Sequence, residues 1–120
     1  MAVSDGQVIS HRFPYVPIRL QVRGREALVE ALLDTGFDGH VVVPASLMTN
    51  GAPADTHYTW TLADGSEVSS PTYRGTVQIG SFPPVRVLIS VLGDEPIIGR
   101  ALTNHFSIHL DHGRQVIVEP

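Results

Sequence analysis

At 120 residues the chain has the length of one domain, enough to bury a modest core and too short for two domains of usual size. Hydrophobic residues at 42% and charged ones at 17% exclude disorder along its body, and the lack of cysteine excludes disulfides, thiolate nucleophiles and cysteine zinc sites. A net charge of −4, with eight arginines and no lysine, leaves no basic footprint for nucleic acid and no Schiff-base or phosphate-loop lysine.

No apolar run approaches the roughly 20 residues of a membrane span. The opening residues Met1 to Gly6 carry an acid and neither a basic nor an apolar leader segment, which reads as a cytoplasmic protein without a signal peptide. Valine, isoleucine and threonine number 15, 8 and 8, a density of β-branched side chains that favours pleated backbone, and glycine and proline are scattered between short apolar runs as turn punctuation. The fold class expected is all-β.

In chain order, strands are expected at Tyr15 to Val22, after which Arg23-Gly24-Arg25 turns tightly, at Glu26 to Leu33, and at Val41 to Val43. Glu26 to Leu33 is ambiguous, because it consists of good helix formers whose apolar spacing suits a helix nearly as well as a strand. Short helices are expected at Ala45 to Thr49 after Pro44 and at Arg100 to His105 after Gly99. A strand at Tyr58 to Leu62 leads into Asp64-Gly65, a pair that tolerates the positive φ of a primed hairpin turn. Strands follow at Thr72 to Ile79, where Pro71 suggests a sheet edge, and at Val85 to Val91. A terminal hairpin runs from Phe106 to Leu110, turns at Asp111 to Arg114 and returns through Val116 to Val118.

The chemistry concentrates at Leu32-Leu33-Asp34-Thr35-Gly36. Two apolar residues anchor the strand, the carboxylate of Asp34 emerges at its end, and Gly36 lets the backbone bend so that amides can hydrogen-bond that carboxylate. About sixty residues later comes Pro96-Ile97-Ile98-Gly99-Arg100-Ala101-Leu102. With both segments in this order and separation, the sequence resembles the retropepsin-like aspartic proteases, the single-domain relatives of retroviral protease. Leu32 to Gly36 followed by Val41 to Val43 is similar to the family's active-site loop, and Ile97-Ile98-Gly99-Arg100 to its second hydrophobic-hydrophobic-glycine element. The hairpin at Asp64-Gly65 falls where the family has its flap.

The resemblance implies a closed β-barrel, the half-domain of an acid protease, with one short C-terminal helix and a homodimeric assembly. It runs from about Tyr15 to Glu119 and implies a domain over residues 13–120, leaving 1–12 as a terminal segment, either flexible or a dimer-interface strand. Asp34 is then the catalytic carboxylate, Thr35 bonds across the active-site floor and Gly36 faces substrate backbone. Phe37, where retroviral members usually carry a small residue, sits beside the cleft. Phe37, Asp38, Trp60, Ala63, Asp64, Gly65 and Ile98 are the expected substrate contacts. Asp38 is also expected to pair with Arg100, as a buried ion pair or a weak surface one. Trp60, the sole tryptophan, belongs to the flap or to the core.

Hydrolysis of this kind needs two carboxyl groups around one water, and no second apolar-apolar-Asp-Thr/Ser-Gly segment is encoded. A symmetric homodimer supplies the second Asp34. The expectation is therefore an aspartic endopeptidase whose partners are itself and a peptide or unfolded protein, with no metal, cofactor, nucleic acid or membrane. The terminal segments Val8-Ile9 and Val116 to Val118 build the dimer interface or close the monomer's own sheet. The alternative function is a non-proteolytic dimer that binds extended peptides, Phe37 filling its cleft. His105, His109 and His112 have helical metal-site spacing, but they fall on a strand and a turn and read as solvent-facing. No Gly-x-Ser-x-Gly elbow is present.

Overall fold

The computed structural model describes residues 2–4, 6–48 and 53–120. Two sheets share one core. Strands β1 (Ala2–Ser4), β2 (Gln7–Ser10), β10 (Ser107–Asp111) and β11 (Gln115–Glu119) form a sheet in the order β1-β2-β11-β10. The larger sheet contains β3 (Tyr15–Val22), β4 (Arg25–Leu33), β5 (Val41–Val43), β6 (Thr56–Thr61), β7 (Glu67–Gln78), β8 (Val85–Val91) and β9 (Ile97–Ile98), in the order β3-β4-β9-β5-β8-β7-β6. A further pairing of β3 with β7 closes six of these strands into a barrel and leaves β6 outside the ring. The four-residue helix α1 (Arg100–Thr103) follows β9.

The ambiguous segment is a strand. β4 pairs antiparallel with β3 from Tyr15↔Leu32 to Val22↔Arg25 across a two-residue turn, Arg23 and Gly24, whose φ angles of 51° and 79° are both positive. That turn matches the twist of the strands, and the full ladder outweighs the helix propensity of Glu26 to Leu33. Val16, Ile18 and Leu20 face the core from β3 with Ala31 from β4, while Leu28, on the outer side, is 70% exposed. β5, buried at every position, lies between β8 and β9 and accordingly reads as an unbroken apolar run.

β7 explains a departure at Pro71. It is an interior strand and begins at Glu67, five residues before the expected start at Thr72. It changes partner along its length: Glu67 to Thr72 pairs with β6, Thr72 to Val77 with β8, and Thr76 to Gln78 with β3. Pro71 falls one residue before the β8 ladder starts, so its missing N–H removes no bond of that ladder. Barrel closure brings β3 so near that a Cβ on Gly75 would collide with the Gln21 carbonyl oxygen.

The flap hairpin also differs from expectation. Asp64 keeps a negative φ and only Gly65, at φ 86°, is left-handed; Gly65 N–H donates to Leu62 O and Leu62 N–H to Ser66 O. This is a three-residue loop ending in a left-handed glycine, and not a primed turn. Asp64 Oδ1 accepts both the N–H and the hydroxyl of Ser66, which holds its carboxyl below the usual carboxylate range.

The helices are shorter than expected. Ala45–Met48 is a 3-10 turn, the expected final residue Thr49 lies outside the described residues, and α1 ends at Thr103 instead of His105. The terminal segments pair within one chain, Val8↔Val118 and Ile9↔Ile117, and Val8, Val116 and Val118 join the barrel residues in a single core. Among the described residues no helix is long and apolar enough to cross a membrane.

Candidate active site

The site is built where the chain crosses over β9. Strand β9 runs between β4, to which it is parallel (Leu33↔Ile98), and β5, to which it is antiparallel (Val41↔Ile98). Residues 34–40 must therefore arch over the end of β9 to pass from β4 to β5. Asp34 N–H donates to Ile98 O at 3.0 Å, fixing the carboxylate at the strand's end. Beyond Ile98 the next amides turn back on the arch: Gly99 N–H donates to His40 O (3.0 Å), Arg100 N–H to Phe37 O (2.8 Å) and Ala101 N–H to Gly39 O (3.1 Å). The second glycine element thus clamps the loop that carries Asp34.

Within the arch Phe37 N–H donates to Asp34 O, and Gly36 N–H reaches Asp34 Oδ1 at 2.9 Å. A Cβ on Gly36 would lie 3.2 Å from that oxygen, so a side chain there would crowd the bond. Oδ2 of Asp34 has no hydrogen-bond partner among the described residues. Asp34 is half-buried, and Thr35 and Gly36 are exposed.

Phe37 packs down onto the loop's own support. Its ring lies over Gly99 and Gly39, where an added Cβ would collide with it, and its centroid is 5.0 Å from that of Trp60 on β6. Trp60 in turn packs against Tyr58, the ring centroids 4.4 Å apart and the planes tilted by 40°. Trp60 therefore lies on the β6–β7 hairpin with its ring half-buried against the Asp34 loop, its Nε1 shut off from solvent and unpartnered among the described residues.

Two expectations need correction. Asp38 and Arg100 are both exposed, and the arginine–carboxylate pairs among the described residues are Arg12–Glu30, Arg19–Glu26 and Arg23–Asp55, so the expected ion pair is not formed. Neither group is desolvated, and an exposed pair gains too little to order two side chains. Ile98, expected at the cleft, is fully buried in the barrel core, because β9 is enclosed by strands on both sides. Ala63, Asp64 and Gly65 are exposed at the flap tip.

Gly39, Gly99 and His40 were not among the expected site residues. His40 Nδ1 accepts Leu88 N–H at 3.3 Å, tying the arch to β8, and burial, then the nearby His105, lowers its pKa below the ordinary 6.5. Gly39, two residues after Phe37 and one before the end of the arch, was the available signal, since only a glycine admits a ring that close. The three histidines lie apart in kind: His109 is in β10, His112 in a left-handed turn conformation and His105 between α1 and β10.

A retropepsin-like aspartic protease from Rickettsia conorii superposes on 94% of this chain and 90% of its own, with a TM-score of 0.65 at 18% identity. The chain has the retropepsin-like fold. The protease of simian foamy virus (mac) aligns over 73% of this chain and 91% of its own, with a TM-score of 0.50 and 16% identity. No protein-family model matches the sequence, and no curated protein matches it.

Proposed function

We propose that this chain is an aspartic endopeptidase acting as a homodimer, in which Asp34 of each copy meets its twin across a twofold axis around one water. The observation that carries the reading is Asp34 itself: a carboxylate just past the end of β4 in a retropepsin-like fold, its backbone fixed by Ile98 and one oxygen left free. In the proposed reaction one carboxylate takes a proton from the water as its oxygen attacks the peptide carbonyl carbon. The other gives its proton to the carbonyl oxygen. The tetrahedral species then collapses with proton transfer to the leaving nitrogen, releasing an amine and a carboxylic acid. Gly36 N–H on Oδ1 keeps the carboxylate oriented throughout.

Two carboxylates this close cannot both be ionised, an effect for which aspartic-protease dyads are the usual illustration, and activity belongs to the pair holding one proton. The flap from Tyr58 to Ser69 covers an extended substrate that joins the site as an added strand. A non-proteolytic peptide binder would need Phe37 to fill the cleft, whereas its ring is engaged with Gly39, Gly99 and Trp60, which favours the hydrolytic reading.

The test is cleavage of a denatured protein mixture by wild type and Asp34→Asn, with and without a pepstatin-like inhibitor. Wild type is expected to cleave, with a bell-shaped acidic rate profile, and the variant to lose at least about a hundredfold. Equal activity in both proteins, or a flat profile between about pH 4 and 8, overturns the proposal.

A further inference from the structure

Beside the arch lies a cavity of about 220 Å³, bounded by Asp38 and His40 on the active loop, Tyr58 and Trp60 on the flap, and Leu88 and Ser90 on β8. Ligand pockets for drug-sized molecules run from roughly 300 to 1,000 Å³, so this one is scaled to a side chain. Its polar lining is uneven. The hydroxyls at its floor are already engaged, Thr72 Oγ1 with Ser90 Oγ at 2.9 Å, and His40 Nδ1 is occupied by Leu88 N–H. Trp60 Nε1 is sealed from solvent and offers nothing to an occupant in this conformation. Asp38 is the exception: it is exposed, lines the cavity, and has no hydrogen-bond or ion-pair partner among the described residues, since Arg100 does not pair with it.

A free carboxylate that lines one cavity with a tilted pair of aromatic rings is a constellation for a cation. The carboxylate supplies the counter-charge, and the rings of Tyr58 and Trp60, 4.4 Å apart, supply the negative π-faces along which an aliphatic stem and its charged head can lie. Leu88, 38% exposed, adds apolar surface for the stem, and the net charge of −4 draws a cation toward the molecule.

We propose that this cavity selects a lysine or arginine side chain of the substrate, making the enzyme one that prefers peptides with a basic residue close to the bond it cuts. The inference rests on the hydrolytic reading for its claim that the occupant belongs to a peptide. Asp38 is the charge partner, Tyr58 and Trp60 form the wall, and an acidic side chain is rejected by the like charge of Asp38.

Trp60 is the only tryptophan, so its emission reports directly on this cavity. The experiment titrates the full-length Asp34→Asn protein with short peptides in which lysine, norleucine or glutamate is placed in turn at each position. At one position the lysine peptide is expected to bind about tenfold more tightly than its norleucine twin. The added Asp38→Asn change should erase that difference, whereas Asp38→Glu should retain it, and unchanged emission of both variants without peptide checks that they fold. Equal affinity for lysine and norleucine at every position, tightest binding of glutamate, or a lysine preference untouched by Asp38→Asn overturns the inference. Wild type that cleaves proteins without regard to basic residues also overturns it and leaves hydrolysis standing. A lysine preference in a wild-type protein that cleaves nothing supports the cavity and removes the hydrolytic reading.

Discussion

A methyl group on Gly99 would collide with the Phe37 ring and lie 2.5 Å from Gly39 O and 2.6 Å from Phe37 O. Those oxygens accept the amides that clamp the arch, so they cannot retreat without loosening Asp34. Gly99→Ala is expected to destabilise the fold by about 1–3 kcal/mol, read from denaturant midpoints, and to lower activity in the fraction that remains folded. His40 invites a second prediction. Its pKa is lowered in the folded state, so as pH falls through the ordinary value of 6.5 the unfolded chain takes up a proton that the folded chain resists. The stability His40 contributes is present in full above that value and is lost progressively below it. Protonating Nδ1 also removes the acceptor for Leu88 N–H. The melting temperature of wild type should therefore drop more steeply between about pH 7.5 and 5.5 than that of His40→Asn, whose side-chain oxygen can accept the same bond. Parallel curves would show that the His40 contact does not titrate with folding.

At the scale of elements, the β6–β7 hairpin is joined to the loop that carries Asp34 by a tilted contact between aromatic rings. Phe37 touches Trp60 on β6, and β7 continues from the hairpin into the barrel wall, so the hairpin meets the arch through side chains and the barrel through backbone. Phe37→Ala removes the ring from between Gly39, Gly99 and Trp60. It is expected to cost about 2 kcal/mol, shift Trp60 emission to longer wavelength and speed proteolytic nicking within Thr56 to Gln78. An unshifted emission would mean that the flap is positioned without this stack. The elements were unevenly legible. β3, β5 and β8 alternate or run apolar in ways only a strand satisfies, and the structure places them at the expected residues. β4 was not decidable from spacing, because its ladder to β3 and its partner β9 are contributed by the rest of the chain. Pro71 misled for a related reason: one strand serves three partners in succession, and the proline sits at the change from the first to the second. Asp38–Arg100 misled because sequence order cannot tell a desolvated pair from two solvated charges.

At the scale of the molecule, β9 has two residues, too few for any periodicity, yet it holds β4 and β5 apart and creates the arch. Only the Ile97-Ile98-Gly99 motif marked it. The termini likewise could not be assigned from composition, and the structure uses β2 and β11 to close a sheet within one chain. Dimerisation in the proposed function then has to bring two arches together with these strands already paired, which makes the shared use of Asp34 the point to test. Wild-type chains refolded with Asp34→Asn chains should distribute at random among dimers, and a mixed dimer carries one ionisable Asp34 where the reaction needs two. Refolded with an equal amount of variant, a fixed amount of wild type should retain about half its activity, and with a ninefold excess about a tenth, because its chains find one another that much less often. If Asp34 acts within single chains, the same amount of wild type keeps its full activity at every ratio, and the twofold dyad is ruled out whatever the isolated variants do.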